Sequence, residues 1–348
     1  MAATTNSTAN IDTATKVAFL RQPASYPHYN PGHAFTVDVI QTHMSWVFLS
    51  EHFVYKLKKS VRFEFLDFST LERRHHDCLE EVRLNQRLAL GIYLGVVPLT
   101  IDAAGRLQLE GEGETVDWLV KMQRLPREYM LDQVIAARRV EAAEVRTFAR
   151  LLAGFYRHAE AVSITPHDYR QRFEQNIDAY TNTLLKPAYG LSHNQITAIK
   201  RTLQQFLSDK AQLFDARVST QRIVEAHGDL RPEHICLIDP PVIIDCLEFN
   251  RALRLLDPAD ELAFLAMECE KSGAPFIGQV VFETYRQLCH DDPAQSLLRF
   301  YKSLHALLRA KLSIQHLDDH DVGKHQKWIR RAHDYLGLAR HYADTLDG

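Results

Sequence analysis

The sequence lacks any run of about 18 apolar residues, so it predicts no membrane-spanning helix and no membrane partner. Its five cysteines are odd in number, widely spaced and without a CxxC pair, which argues against a disulfide framework and against a zinc site. No G-x-x-x-x-G-K-[ST] motif occurs, which excludes a Walker P-loop. The formal net charge is -3, whereas nucleic-acid-binding domains are usually basic, so we expect no nucleic-acid partner.

The N-terminal segment lacks the features of a targeting signal. Residues 1–15 are small and polar, with neither the basic start nor the apolar core of a signal peptide. We therefore expect residues 1–16 to form a disordered tail and the protein to be cytoplasmic. The overall composition, 46% apolar and 24% charged, is typical of a globular protein. A length of 348 residues predicts two domains, or one domain with two lobes.

Periodicity and turn signals divide the chain into a β-rich first third and a helix-rich remainder, with one short β-hairpin between helices. The predicted strands are 37–40, 46–49, 53–57, 96–101, 107–109 and 118–122. The predicted helices are 68–89, 141–159, 191–214, 259–270, 278–288, 296–316 and 324–342.

The most informative part of the chain is residues 227–245, HGDLRPEHICLIDPPVIID. Two apolar runs, Ile235–Ile238 and Val242–Ile244, are separated by an Asp-Pro-Pro turn, which predicts a tight β-hairpin. Such a hairpin would return Asp245 toward Asp229 and His234. The sequence thus predicts two carboxylates held near each other, each within its own short motif.

Two neighbouring carboxylates suit metal-assisted phosphoryl transfer. One accepts the proton of the attacking hydroxyl, and the other holds Mg²⁺ on the nucleotide phosphates. Asp229 is the candidate general base, and the alternative for it is a capping or turn aspartate. Asp245 is the candidate metal ligand, because a carboxylate that ends an apolar strand has no evident packing role.

The same stretch resembles the catalytic loop of protein kinases, H-R-D-x-x-x-x-N, with Gly228 in place of arginine. Its H-G-D form resembles the aminoglycoside phosphotransferase branch of the kinase-like fold. More narrowly, it is similar to the uncharacterised group called aminoglycoside phosphotransferase family enzymes. The resemblance spans about residues 35 to 315 through blocks in the same order. These blocks are VYKLKK (Val54–Lys59), FLDFSTLERR (Phe65–Arg74), EVRLNQRLA (Glu81–Ala89), ICLID (Ile235–Asp239), DCLEFN (Asp245–Asn250), and Arg254, Asp257 and Asp260 before Leu262–Leu265.

The resemblance implies an α+β, bilobal, protein-kinase-like fold. The N-lobe, residues 17–123, would be an antiparallel sheet plus a helix that binds the nucleotide. The mostly helical C-lobe, residues 124–348, would carry the catalytic loop and the acceptor site. The implied activity is phosphotransfer from ATP, with Mg²⁺, to a hydroxyl of a small-molecule acceptor that the fold does not identify.

Within this resemblance, Lys56 matches the strand lysine that neutralises the α and β phosphates of ATP. The alternative is a solvated lysine in a basic run with Lys58 and Lys59. Glu81 would be the ion-pair partner of Lys56, because Leu84, three residues later, marks the buried face of its helix. Glu80, the competing carboxylate, would point toward solvent.

Two further candidate nucleotide contacts, Ser45 and Met122, are placed by the order of elements in the kinase-like fold. The turn Thr42–Ser45 lies where kinases cover the phosphates with a Gly-rich loop, although it contains no glycine. Ser45 is therefore a candidate phosphate contact, and a plain hairpin turn is the equal alternative. Met122 begins the segment 122–124, which we expect to be the hinge that meets the adenine ring through its backbone.

His234 stands where the kinases and the similar group carry an Asn that binds a second metal ion. Neutral imidazole binds divalent metals, but Mg²⁺ prefers oxygen ligands and Mn²⁺ tolerates imidazole better. We expect Asp245 and His234 to be the metal ligands, with Mg²⁺ or Mn²⁺. Two alternatives stay open: a nucleotide-binding pseudokinase with a regulatory or scaffold role, which His234 supports, and a nucleotidyl transferase on the same fold.

Charged residues beyond the hairpin allow two interpretations each. Arg254, Asp257 and Asp260 either shape the acceptor site or hold the loop by pairing with one another. Arg309 and Lys311, in a late predicted helix, either reach the site or lie on a solvated face.

Overall fold

The structure, a computed structural model, divides into two compact units. The first, which we call the sheet unit, consists of residues 1–130 and 234–252. The second, which we call the helical unit, consists of residues 131–233 and 253–348. The described residues are 11–33, 35–63, 66–318 and 325–346.

An antiparallel sheet of six strands forms the centre of the sheet unit. Its strands are rich in aromatic and β-branched residues, and alternate side chains such as Tyr55 and Leu57 are buried in its core. The strands are β1 (Asp38–Gln41), β2 (Ser45–Leu49), β3 (Phe53–Lys58), β6 (Tyr93–Ile101), β7 (Leu107–Leu109) and β8 (Glu114–Gln123), after a small β4–β5 pair (Arg62–Phe63, Leu66–Asp67). Across the sheet their order is β1-β2-β3-β8-β6-β7. Each predicted strand of this region is present.

Helix α2 (Leu71–Asn85) packs against β8 and β6. The sequence predicts this helix over 68–89, but the hydroxyl of Thr70 accepts a hydrogen bond from the Arg73 N–H at 3.3 Å and so caps a later start. Farther along the chain, β10 (Ile235–Cys236) and β11 (Val242–Ile243) pair antiparallel. The predicted hairpin is therefore confirmed, and it belongs to the sheet unit.

The prediction of a disordered tail over residues 1–16 is wrong for its last part. Helix α1 spans Thr13–Leu20, and the side chain of Asp12 caps it by accepting from the Thr15 N–H at 2.6 Å. The buried ammonium of Lys16 lies 2.8 Å from Asp117 Oδ2 on β8, which fixes the helix to the sheet. Residues 1–10 of the predicted tail lie outside the described residues.

The helical unit packs long helices around aromatic side chains, among them Phe173, Phe206, Phe214 and Phe300. Its helices are α3 (Leu131–Ala136), α4 (Ala142–His158), α5 (Pro166–Leu184), α6 (His193–Asp209), α7 (Ala211–Ser219), α8 (Pro258–Lys271), α9 (Pro275–Cys289), α10 (Gln295–Gln315) and α11 (His325–Asp344). Two short strands, β9 (Val224–Glu225) and β12 (Leu255–Leu256), pair antiparallel.

The sequence predicts one helix over 191–214, but the structure breaks it at Lys210 into α6 and α7. Ser192 caps α6, as its capping-box pattern indicates, by accepting from the Gln195 N–H at 3.4 Å. Helix α5 has no counterpart in the prediction, because polar residues interrupt its apolar spacing. Within the described part of the chain, no helix has the length and apolar character needed to cross a membrane.

Candidate active site

The ion pair that the sequence predicts between Lys56 and Glu81 is present. Lys56 Nζ donates to Glu81 Oε1 at 2.9 Å. Glu81 is fully buried, on the same face of α2 as Leu84. The competing carboxylate, Glu80, is partly exposed and pairs with Arg83 on the outer face of the helix. Glu81, and not Glu80, therefore pairs with Lys56, because only the side chain of Glu81 lies on the buried face of α2.

A second lysine on β3 is buried as well, which the sequence pattern does not indicate. The sequence places Lys58 in a solvated basic run, but its side chain is 0% exposed. Its Nζ lies 2.6 Å from Asp77 Oδ2, 2.7 Å from Glu81 Oε2 and 2.6 Å from Glu248 Oε1. The solvated interpretation is therefore wrong for Lys58, which binds three carboxylates.

The spacing of strand and helix explains this double pairing. Two residues along a strand advance about 6.6 Å, and four residues along a helix advance about 6 Å. Lys56 and Lys58 on β3 therefore match Glu81 and Asp77 on α2. A K-x-K pattern in a strand followed by D-x-x-x-E in the next helix is the sequence signal that could have revealed Lys58.

These groups form what we call the lysine–carboxylate cluster. Two lysines against four carboxylates leave it a formal charge of -2. Burial acts to lower the pKa of each lysine, but the carboxylates raise both pKa values well above the usual range, so both ammonium groups stay charged. The members of the cluster are Lys56, Lys58, Asp77, Glu81, Asp245 and Glu248.

The carboxylates of the cluster differ in how readily they ionise. Burial raises the pKa of Asp77 to about 6, against the effect of Lys58 and with a smaller contribution from Glu248. Burial also acts to raise the pKa of Glu248, but Lys58 and Lys56 bring it below its usual value. The carboxylate of Asp77 therefore accepts a proton before that of Glu248 as the pH falls.

The hairpin is fixed to the end of α2. The Ile243 N–H donates to the Leu88 carbonyl at 3.1 Å, and the Cys246 N–H donates to Asn85 Oδ1 at 2.8 Å. Asn85 in turn donates to the Glu81 carbonyl at 2.8 Å. Hydrogen bonds to the backbone therefore hold together the helix that carries Glu81 and the strand that ends near Asp245.

Asp245 follows the hairpin in an unusual backbone conformation. Its φ is +60°, a left-handed value that Asp and Asn tolerate better than most residues. Its N–H donates to the Tyr93 hydroxyl at 3.1 Å, and its carboxylate, 49% exposed, accepts from Lys56 Nζ at 3.0 Å. His234 Nε2 lies 3.5 Å from Asp245 Oδ2, so the predicted approach of these two residues is confirmed. Strained backbone of this kind is concentrated at functional positions.

The residues around Asp245 fit a divalent cation that also contacts phosphate. A cation of charge +2 would neutralise the formal charge of -2 on the cluster, and the half-exposed Asp245 carboxylate is its accessible oxygen donor. Mg²⁺ in phosphoryl-transfer sites uses one or two carboxylates and completes its shell with phosphates and water. Among the described residues, no group of three or more His, Cys, Asp or Glu side chains is arranged to hold a metal ion alone.

Asp229 lies in the helical unit, where a buried carboxylate fixes its loop. Glu261 at the start of α8 accepts from the Gly228 N–H at 2.6 Å, from the His227 N–H at 3.2 Å and from the Tyr156 hydroxyl at 2.6 Å. The φ of Gly228 is +89°, so this position favours glycine. The loop backbone is thereby fixed at Gly228 and at the residue before it, next to Asp229.

The side chain of Asp229 is paired with an arginine. Arg231 Nη2 lies 2.8 Å from Asp229 Oδ2, and the same guanidinium binds Glu233. The Asp229 N–H donates to Nδ1 of the buried His227 imidazole at 3.3 Å, which links that side chain to the loop backbone. The carboxylate of Asp229 is 31% exposed and is thus accessible from solvent.

The structure limits how Ser45 and Met122, the two residues expected to contact the nucleotide from the order of the fold, can do so. Ser45 is buried, and its N–H and carbonyl bond to Thr42 across a closed hairpin turn, as the plain-turn alternative predicts. Met122 lies within β8, paired with Val54 and Tyr93 on its two sides. After it, the N–H groups of residues 123 and 124 donate to carbonyls of residues 92 and 52, both at 2.8 Å, so two donors of the expected hinge are already used. The nucleotide contacts of Ser45 and Met122 stay predictions.

The charged residues after the hairpin all have protein partners. Arg254 lies 2.8 Å from Glu225, and Asp260 lies 2.8 Å from the imidazole of His305. Asp257 caps α8 and pairs with an arginine. Each of the three is thus held by a structural ion pair, but its partner lies in another element and is not one of the other two.

No protein-family model matches the chain. Among curated proteins it is similar to uncharacterised proteins of Mycobacterium tuberculosis (strain H37Rv) and Mycobacterium bovis, each 32% identical over 282 residues, which cover 79% of this chain and 54% of the relative. The chain therefore spans about half the length of the curated relatives it matches.

Among solved structures, the chain is similar to a GDP complex of an aminoglycoside 2′-phosphotransferase-IIIa mutant, with a TM-score of 0.55, 13% identity and coverage of 97% of this chain and 100% of the other. It is also similar to a choline kinase from Cryptosporidium parvum, with a TM-score of 0.54, 11% identity and coverage of 95% and 96%. At this identity the likeness shows the fold, and the sequence prediction of fold class is confirmed. The chain has the α+β fold of the protein-kinase-like phosphotransferases.

Proposed function

We propose that this protein is a phosphotransferase that uses ATP and Mg²⁺ to phosphorylate a hydroxyl of a small molecule. The observation that carries the proposal is the lysine–carboxylate cluster. It joins a buried Lys56–Glu81 pair to a half-exposed Asp245 carboxylate. A purely structural cluster has no need for a carboxylate with this exposure.

In the proposal, the sheet unit serves the nucleotide. Lys56, held by Glu81 and Asp245, donates to the nucleotide phosphates, as the strand lysine of this fold does. Asp245 and His234 hold Mg²⁺, or Mn²⁺, which when bound neutralises charge that develops on the phosphates. The cationic Lys58 fixes Glu81 through its second carboxylate oxygen, so the carboxylate keeps one position.

The helical unit serves the acceptor. Asp229 takes the proton of the acceptor hydroxyl while the hydroxyl oxygen forms a bond to the γ-phosphorus. The bond from that phosphorus to the β,γ-bridging oxygen breaks, and ADP leaves with the bonding electrons. Arg231, 2.8 Å from Asp229, orients the carboxylate. The neighbouring aminoglycoside phosphotransferase was solved with GDP, so GTP is a donor to test beside ATP.

His234 supports the alternative of a nucleotide-binding pseudokinase, because it replaces the expected Asn. Asp229→Asn separates the two functions, since it removes the proton acceptor and keeps the shape of the side chain. ATP consumption should be measured with pooled hydroxylated metabolites, together with calorimetric ATP affinity. We expect the variant to lose about 10²–10⁴ in rate and to keep its ATP affinity.

The matched control for this experiment is Asp334→Asn, the same chemical change at an exposed position of the helical unit. It should behave as the wild type in both measurements. If no acceptor raises turnover and Asp229→Asn matches the wild type in basal ATP hydrolysis as well, the proposal fails and the pseudokinase stands. Incorporation of a nucleotidyl group in place of phosphate would instead identify a nucleotidyl transferase.

A further inference from the structure

Three cationic side chains of the helical unit surround one buried tyrosine ring. Lys271 Nζ at the end of α8, Arg309 Cζ on α10 and Arg331 Cζ on α11 lie 4.9, 5.6 and 5.7 Å from the centre of the Tyr335 ring. Cation–π contacts of this kind stabilise a positive charge without neutralising it. We call Lys271, Arg309 and Arg331 the cationic patch.

The patch has less negative charge than positive. Arg309 Nε lies 3.0 Å from Glu268 Oε1, and the Tyr335 hydroxyl lies within hydrogen-bond distance of both oxygens of the same carboxylate, at 2.9 and 2.8 Å. Among the residues that the structure describes, no carboxylate lies within 4.0 Å of the charged nitrogens of Lys271 or Arg331. Three cations and one carboxylate leave a formal excess of +2.

Arg309 also links the patch to the proposed base. Burial acts to lower the pKa of Arg309, but Glu268 raises it above its usual value. Arg231, which pairs with Asp229, is near enough to oppose that rise. The side chain of Arg309 is only 12% exposed, so the alternative of a solvated face is wrong for it. The patch and the Asp229 loop thus lie near each other within the helical unit.

We propose that the acceptor carries an anionic group, a phosphate or a carboxylate, which the cationic patch binds while the acceptor hydroxyl meets Asp229. This inference rests on the proposed function and names the substrate class. Arginine guanidinium groups bind phosphate and carboxylate in a bidentate manner, and a patch of charge +2 repels cations. Aminoglycosides and choline, which are cationic, are therefore not the acceptors of this protein.

The first experiment compares three acceptor pools with the full chain, ATP and Mg²⁺. One pool contains sugar phosphates, polyol phosphates and sugar acids, the second contains neutral sugars and polyols, and the third contains choline and aminoglycosides. Only the anionic pool should raise ADP formation, and its phosphate and carboxylate members are then tested separately to identify which anion binds. Turnover with a cationic or a neutral acceptor alone overturns the inference and leaves the proposed phosphotransferase intact.

The second experiment tests the patch itself with Lys271→Gln and Arg331→Gln. Arg309 is left in place, because its loss would leave Glu268 buried and without its ion-pair partner. Each variant should raise the KM for the anionic acceptor at least about tenfold and leave the KM for ATP unchanged. Arg340→Gln is the matched control, since Arg340 lies on the same helix as Arg331 in an exposed ion pair with Asp344 and should change neither constant.

If no pool raises turnover, calorimetry with glycerol 3-phosphate and with gluconate shows whether the cationic patch binds anions. Binding at millimolar concentration that Lys271→Gln weakens and Arg340→Gln does not supports the patch as an anion site. Absence of binding to the wild type, or equal binding to all three proteins, overturns the inference. ATP affinity measured on the same samples shows separately whether the nucleotide side of the proposed function has failed.

Discussion

Each unit of the molecule contains a buried cluster of ions, and the two clusters are built differently. In the helical unit, Arg217 donates to both Asp257 and Asp291 at 2.5–2.8 Å. Two tyrosine hydroxyls add further hydrogen bonds to these carboxylates. Tyr285 donates to Asp291 at 2.6 Å, and Tyr301 donates to Asp257 at 3.2 Å. In this cluster every charged group is buried and hydrogen-bonded.

The lysine–carboxylate cluster of the sheet unit instead has one carboxylate, Asp245, at the surface. It uses lysines, which make point contacts, where the helical unit uses a planar guanidinium that binds two carboxylates. It also leaves the Asp245 carboxylate about half exposed. The difference teaches that burial of ions does not by itself indicate function. A cluster that leaves one carboxylate accessible to solvent does.

The largest effects are expected from removing one buried cation from each cluster, Arg217 in the helical unit and Lys58 in the sheet unit. Arg217→Met and Lys58→Met each leave two or three buried carboxylates without their partner, and we expect each to lower the free energy of unfolding by about 3–5 kcal/mol. Only Lys58→Met should also weaken ATP binding, because it releases Glu81 from its position beside Lys56. Denaturant unfolding and ATP calorimetry at low temperature measure the two effects separately.

Equal loss of ATP affinity in both variants would remove the distinction between the clusters. Lys58→Arg provides a second check, since it keeps the charge in the sheet unit. Recovery of ATP affinity by Lys58→Arg, relative to Lys58→Met, is expected if charge at this position holds Glu81.

A smaller effect on stability and a selective effect on binding are expected at Asp245. Asp245→Asn keeps the left-handed backbone and removes one negative charge, so the free energy of unfolding should change by less than about 1 kcal/mol. The gain in melting temperature that Mg²⁺-ATP gives the wild type should disappear. Asp239→Asn, in the exposed turn of the same hairpin, is the matched control and should keep that gain. An equal gain in all three proteins would remove Asp245 from the metal site.

The smallest effect is expected at Asp77, as a gradual change in how stability depends on pH. The pKa of Asp77 is about 6 in the folded state, against an ordinary value of 3.8. Between these values the folded protein keeps a proton that the unfolded chain has released, so Asp77 lowers stability as the pH rises from about 4 to about 6. Asp77→Asn removes this titration, and its stability relative to the wild type should rise by about 1 kcal/mol between pH 4 and pH 5. Urea unfolding at pH 4, 5, 6 and 7 tests this, and a constant difference contradicts it.

The sequence predicted the parts of the site that local motifs define. The hairpin and the approach of His234 to Asp245 follow from turn chemistry and strand pairing, and both are observed. The Lys56–Glu81 pair is implied by the kinase resemblance, with helix direction favouring Glu81 over Glu80, and it is observed too. The fold class followed from the order of the motif blocks and is confirmed.

The parts that the sequence did not predict depend on long-range contacts. Lys58 is one of several lysines in a basic run, and only the packing of α2 beside β3 buries it. Lys16 is a single charge in a polar segment until Asp117, about 100 residues later, fixes the segment to the sheet as a helix. Arg309 gave no local sign of burial either, because its environment comes from α8 and α11.

The left-handed backbone at Asp245 has an evolutionary consequence. A Glu at this position would keep the charge but would suit the conformation poorly, so the position can drift only toward Asn or Gly at low cost to folding. An Asp codon becomes an Asn codon by a single base change. Loss of the proposed metal ligand in a lineage is therefore one mutation away, and it would leave behind a folded protein with an intact hairpin. If the proposed function is correct, the residue at this position should separate relatives that catalyse phosphotransfer from relatives that only bind nucleotide.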